Sequence, residues 1–160
     1  MKAKHLVNTW YKISLGEDIG NSDVFFKFIS LWVCFNGIYN SITNRSDSER
    51  DQIECFSEIN EVSNIHHLLL EQNIEYKEAV NYLKERGVKD LRSGIRRKIR
   101  SQSNFWEVMQ CIYQVRCNLF HGGKTPEDPR DETLIKASYS VLSSVVELFI
   151  RKGLLDRYSH

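Results

Sequence analysis

Arg116, Asn118 and His121 fall within the short string Arg116-Cys117-Asn118-Leu119-Phe120-His121, and Gly122-Gly123-Lys124 follows at once. A guanidinium, a carboxamide and an imidazole suit a phosphodiester. They offer a cation for the phosphate, a hydrogen-bonding group, and a side chain that moves a proton near neutral pH. Lys124 adds a second cation close by.

Helical periodicity positions these groups. At about 100° per residue, Phe105, Val108, Met109, Ile112, Val115 and Leu119 share one face, opposite Glu107, Gln110 and Gln114. A helix is predicted over 104–121, capped by Ser103 or Asn104 and ended by the Gly122-Gly123 pair. His121 then sits near the negative end of the helix dipole, which favours the imidazolium. A surface histidine that only caps a helix would satisfy the same pattern.

Arg116 falls near the centre of the apolar face, where a plain bundle helix would carry Leu or Ala. An unpaired buried guanidinium costs several kcal/mol. Arg116 must therefore meet a partner, or its end of the stripe must open into a cleft or a subunit interface. A purely structural Arg–carboxylate pair is the competing explanation. Arg116 and His121 project roughly 140° apart on an ideal helix. That spacing favours a composite site, with a second copy related by a twofold axis completing the cleft.

A second anomaly lies upstream. Phe25, Phe28, Ile29, Trp32, Phe35 and Tyr39 share the face of a long helix predicted to run from a cap at Ser22 or Asp23 to about Thr43, with Asn36 near its middle. A buried amide among aromatics needs partners. Asn36, with Trp32, is expected to support the Arg116 region.

The remainder reads as further helices. One is expected over 3–15, followed by a turn at Gly16 and Gly20. An acidic surface helix is expected over 46–61, with Ile53, Phe56 and Ile59 inward, and one or two helices over 64–86, stopping at Gly87. A loop over 122–130 precedes a final helix over 131–151 striped by Leu134, Ile135, Ser138, Val141, Leu142, Val145, Val146 and Phe149. No alternating strand pattern is evident. The expected fold is an all-α helical bundle of about five to seven helices, a single domain over 1–160 with its core at about 20–151.

Residues 88–100 are basic, and a helix there would align Arg92, Arg96 and Arg100 as an i,i+4 row, with Arg97 beside it. Such a row repels itself unless an anion or an acidic neighbour faces it. RNA backbone and the acidic segments 46–61 or 127–132 are the two candidates. The chain as a whole carries a net charge of only +1, so nucleic-acid affinity must come from such a local patch.

The composition, 41% hydrophobic and 27% charged, fits a globular domain. Cys34, Cys55, Cys111 and Cys117 form no C-x-x-C pair, and no export signal is expected, which suggests reduced thiols in the cytoplasm. The nearest approach to a membrane span, Val24 to Tyr39, is interrupted by Lys27, Ser30, Asn36 and Gly37, so no membrane partner is expected. Cys117 and His121 have i,i+4 spacing, but the ligand set is incomplete and His66-His67 diverge, so neither a metal nor another cofactor is expected. A Cys117 thiol nucleophile would lack an identified oxyanion site.

The local string R-C-N-L-F-H-G-G-K resembles the R-N-x-L-F-H-G-x-K form of the HEPN superfamily, in its Apea-like and related branches. Cys117 stands where that form has Asn. The segment L-W-V-C-F-N-G-I-Y-N at 31–40 is similar to the aromatic-plus-Asn part of the family's early long helix. This resemblance implies a helical homodimer whose motifs meet across a cleft. It implies a metal-independent endoribonuclease that cleaves RNA by 2′-OH attack, with Arg116, Asn118 and His121 catalytic. It also implies a setting in phage defence or as a toxin, with a separate regulatory or antitoxin partner. The alternative is a non-catalytic module of the same type that binds RNA or nucleotide, or that dimerises.

Overall fold

The computed structural model describes residues 4, 7, 8, 11, 12, 14, 15, 23–121 and 129–159. Among them run seven delimited helices and one two-stranded hairpin: α1 (Val24–Ile42), α2 (Glu49–Glu58), α3 (Asn60–Gln72), α4 (Ile74–Arg86), β1 (Val88–Lys89), β2 (Arg96–Arg97), α5 (Phe105–Phe120), α6 (Pro129–Arg151) and α7 (Leu154–Tyr158). The architecture is an all-α bundle. The described residues Lys4, Val7, Asn8, Tyr11, Lys12 and Ser14 are also helical.

Short polar side chains start the helices. Asp23, Ser48, Asn73 and Asn104 each accept a hydrogen bond from a backbone N–H in the first turn of α1, α2, α4 and α5. Gly87 ends α4 with φ +65°. A Cβ there would lie 2.9 Å from the Arg97 carbonyl, so only glycine allows the hairpin to approach the helix end this closely. The acidic segment and its neighbour divide differently from the expected 46–61 and 64–86: the backbone breaks at Ile59, and α3 starts directly after it.

α6 lies against α1 and α4, and every residue of its expected stripe from Leu134 to Phe149 is buried. It begins at Pro129 rather than 131, because proline suits the first helical position, where its missing N–H is not needed. An 18-residue stretch within Asp131–Arg151 is long and apolar enough, by length and composition, to cross a membrane, contrary to the expectation that Val24 to Tyr39 comes nearest to a span. Half of it is buried inside the bundle, as a core helix would be. An aromatic chain knits the centre. Phe35 meets Tyr39 and Phe56 edge-on at 5.1 and 5.0 Å, and Phe56 meets Phe149 at 5.5 Å.

The basic stretch is not helical. Val88 pairs with Arg97 and Lys89 with Arg96 in antiparallel register, so the i,i+4 row of Arg92, Arg96 and Arg100 that a helix would form does not exist. Asp90 drives the reversal: its carboxylate accepts from the backbone N–H of Arg92 (2.9 Å) and Ser93 (3.4 Å) and from the Ser93 hydroxyl (2.9 Å). Those bonds hold the Asp90 carboxyl below its usual range, the Arg92 N–H contributing most. Gly94, at φ +76°, returns the chain to β2.

Candidate functional site

The hairpin covers a side of α5 that faces solvent in the helical projection. Gln114, expected on the polar face, is buried beneath it, and so are Cys111 and Asn118. Asn118 Nδ2 donates to the Lys89 carbonyl at 2.8 Å, and Asn118 Oδ1 accepts from Gln114 Nε2 at 3.0 Å and from the Leu91 N–H at 3.4 Å. Asn118 thus pins the hairpin to the helix. Its amide is occupied by these partners rather than by His121 or Arg116.

Pinned in this way, the hairpin walls a cleft of about 590 Å³ at the C-terminal end of α5. Its cations are Arg50 from α2, Arg92 and Arg97 from the hairpin, and Arg116 from α5, with His121 at the helix end. Asp90 is the one carboxylate among its described lining residues. Among the described residues, Arg50, Arg92 and Arg97 form no ion pair with a carboxylate. Arg50 is held instead by Gln110 Oε1 at 3.4 Å and by the Trp106 ring, 6.0 Å from its guanidinium carbon. A concave surface with four guanidiniums and one carboxylate attracts polyanions.

Arg116 and His121 reach the same cleft within one chain despite their helical separation. His121 is the C-cap, with φ −92° and ψ 13°, so it has already left the helical path. Its Nδ1 lies 3.0 Å from Arg92 Nη2. A guanidinium only donates, so Nδ1 accepts and the neutral ring carries its proton on Nε2.

Arg116 is half-buried at the cleft edge rather than sealed in the core. Nη1 lies 3.3 Å from Glu49 Oε2, a longer contact than the 2.7–2.9 Å range of strong charge-assisted bonds. Its guanidinium carbon lies 4.8 Å from the Phe120 ring centroid and 5.9 Å from that of Trp32. Asn36 belongs to the same network. Asn40 Nδ2 donates to Asn36 Oδ1 (2.5 Å), Asn36 Nδ2 to the Tyr39 hydroxyl (2.7 Å), and that hydroxyl to Glu49 Oε1 (2.5 Å). Burial and the bond to Glu49 raise the Tyr39 pKa, so its proton stays in place. Trp32 stacks on Tyr113, which also lines the cleft, at 6.1 Å.

The remaining expected residues distribute unevenly. Arg96 faces away from the cleft, its Nη1 donating to the Arg86 carbonyl at 2.8 Å. Arg100 is exposed and does not line the cleft; its backbone N–H donates to Glu107. Lys124 and the Gly122-Gly123 pair lie outside the described residues. Arg50 was missed, because a lone arginine in an acidic surface helix carries no signal of its own. Among the described residues no three His, Cys, Asp or Glu side chains gather as a metal set. The chain matches no protein-family model, no curated protein and no solved structure.

Proposed function

We propose that this chain is an endoribonuclease of the HEPN type that acts without a metal, with the scissile phosphodiester of RNA bound in the arginine-lined cleft. The supporting observation is the convergence of Arg116, Arg92, Arg97 and Arg50 with His121 on one concave surface. In this reading the ribose 2′-oxygen attacks the adjacent phosphorus and the bond from phosphorus to the 5′-oxygen breaks. The products are a 2′,3′-cyclic phosphate and a 5′-hydroxyl. The 2′-hydroxyl proton passes to an imidazole nitrogen, and a second proton is delivered to the leaving 5′-oxygen. The guanidiniums hold the non-bridging oxygens as charge builds on them.

Binding of the phosphate draws Arg92 off His121 Nδ1 and so frees the lone pair that accepts the 2′-hydroxyl proton. One imidazole cannot accept and donate on opposite sides of the phosphorus at once. A second copy of the chain supplies the other His121. Phe120, a half-exposed apolar ring 4.8 Å from the Arg116 guanidinium carbon, favours such a contact.

The binding-module reading draws on a different observation. Asn118 is committed to the hairpin and Arg116 is paired with Glu49, so both motif residues have work in the resting fold. RNA cleavage in excess chelator by the wild type, His121→Ala and Arg116→Ala separates the two. Catalysis by the cleft predicts a loss of at least about 100-fold in both variants and a 2′,3′-cyclic phosphate product. Tight RNA binding with no cleavage by any of the three establishes the binding module. Equal cleavage by all three identifies a contaminant and rejects the nuclease.

A further inference from the structure

The hairpin has a second basic face that the cleft does not use. Residues directly opposite in an antiparallel pair project on the same side, so Lys89 and Arg96 share one face, while Val88 and Arg97 share the other. Val88 is buried and Arg97 reaches the cleft, whereas Lys89 and Arg96 are both exposed. Like charges directly opposite one another destabilise a strand pair. Among the described residues neither cation forms an ion pair with a carboxylate. The Arg96 guanidinium is instead fixed by a neutral oxygen, the Arg86 carbonyl, which orients it without cancelling its charge.

These two side chains line a separate depression of about 520 Å³, in which Glu85 is the one carboxylate. Leu91 lines both this depression and the cleft, so the two adjoin across the hairpin. Leu91 is 48% exposed at the crossing. A chain that carries one phosphate in the cleft meets an apolar step at Leu91, then a second pair of cations.

We propose that Lys89 and Arg96 form a second phosphate subsite, which holds a flanking nucleotide of the same RNA strand after it leaves the cleft over Leu91. This inference rests on the RNA reading of the cleft and adds a direction and a minimum length to the bound strand. The ligand chemistry is a polyanionic chain rather than an isolated phosphate, because the two basic faces are separated by the hairpin.

The test uses 2′-O-methyl RNA, which lacks the attacking hydroxyl and stays intact, as a trinucleotide and as a dodecanucleotide. Affinities of the wild type, Lys89→Glu, Arg96→Gln and Arg97→Gln are measured over a range of salt. The subsite predicts that Lys89→Glu and Arg96→Gln erase most of the wild type's preference for the longer oligonucleotide, about tenfold in affinity, and lower its salt slope by about one. Arg97→Gln weakens both lengths. Unchanged dodecanucleotide affinity in Lys89→Glu overturns the subsite and leaves the cleft reading standing. An equal loss at both lengths also overturns it, since Lys89 would then act within the cleft. Failure of the wild type to bind either length removes the cleft reading and the subsite together. Arg96 also holds the end of α4, so Lys89→Glu decides the matter if Arg96→Gln does not fold.

Discussion

Arg92 places its Nη2 3.0 Å from His121 Nδ1, a contact that joins the hairpin to the end of α5 at the cleft. It fixes the tautomer of the resting imidazole and brings to the histidine a cation from a separate element. Arg92→Ala is expected to weaken RNA binding and to lower the salt slope by about one, since one phosphate contact is lost. Nitrogen NMR of the imidazole gives an independent reading. The wild type should show the Nε2-protonated form, and Arg92→Ala a mixture of the two tautomers. Identical imidazole spectra for both proteins would mean that the contact does not hold in solution.

Glu49 is shared between Tyr39 and Arg116, one carboxylate oxygen to each. Tyr39→Phe removes the bridge and leaves the Asn36 Nδ2 without its acceptor. The expected loss is about 1–2 kcal/mol of stability, measured by denaturant unfolding. Asn36→Ala in the Tyr39→Phe background should then cost clearly less than Asn36→Ala alone. Simple additivity of the two would show that the hydrogen-bonded chain does not act as a unit.

Buried His66 ties stability to pH. Its Nε2 lies 2.7 Å from the Gln102 carbonyl, which only accepts, so Nε2 carries the proton, and Nδ1 accepts from the Tyr76 hydroxyl at 2.6 Å. Burial pushes its pKa down from 6.5 to about 4. The unfolded chain therefore binds a proton more readily than the folded one between those values. The contribution is complete above pH 6.5 and is lost progressively as the pH falls to about 4, for a total of roughly 3 kcal/mol. Unfolding free energies of the wild type and His66→Gln should converge as the solution is acidified through this window. Parallel curves would show that His66 does not carry the effect.

The local parts of this structure were legible because they depend on near neighbours. The α6 stripe and the Gly87 stop follow from periodicity and capping chemistry alone, and so does a cap at Ser103 or Asn104, of which the structure selects Asn104. The demand of Arg116 for a partner was also legible, and so was a link to Asn36. The identity of the linking residue was not, since Glu49 looks like any other acid in the first turn of a surface helix. The hairpin was not legible, because evenly spaced arginines also fit a helical row. The better signal was Asp90 followed by Gly94, an Asx-type turn between Val88 and Ile95. The helical projection of α5 alone puts Gln114 on the solvent side, because it carries no sign of the hairpin that covers it. With the hairpin laid across α5, Asn118 anchors it and Gln114 braces Asn118.

Asn118 provides the sharpest separation of positioning from chemistry. Asn118→Ala leaves the Lys89 carbonyl and Gln114 short of partners beneath the hairpin, an expected cost of about 1–3 kcal/mol. The loss should concentrate locally. The Leu91 amide, which donates to Asn118 Oδ1, should exchange with solvent far faster, while amides in the middle of α6 keep their protection relative to global stability. RNA affinity should fall because Arg92 and Arg97 are no longer held at the cleft. Cleavage of saturating RNA should fall less than in His121→Ala, since His121, the proposed proton carrier, remains. A variant with native hairpin exchange and RNA affinity, but with cleavage abolished, would return Asn118 to a direct part in the reaction.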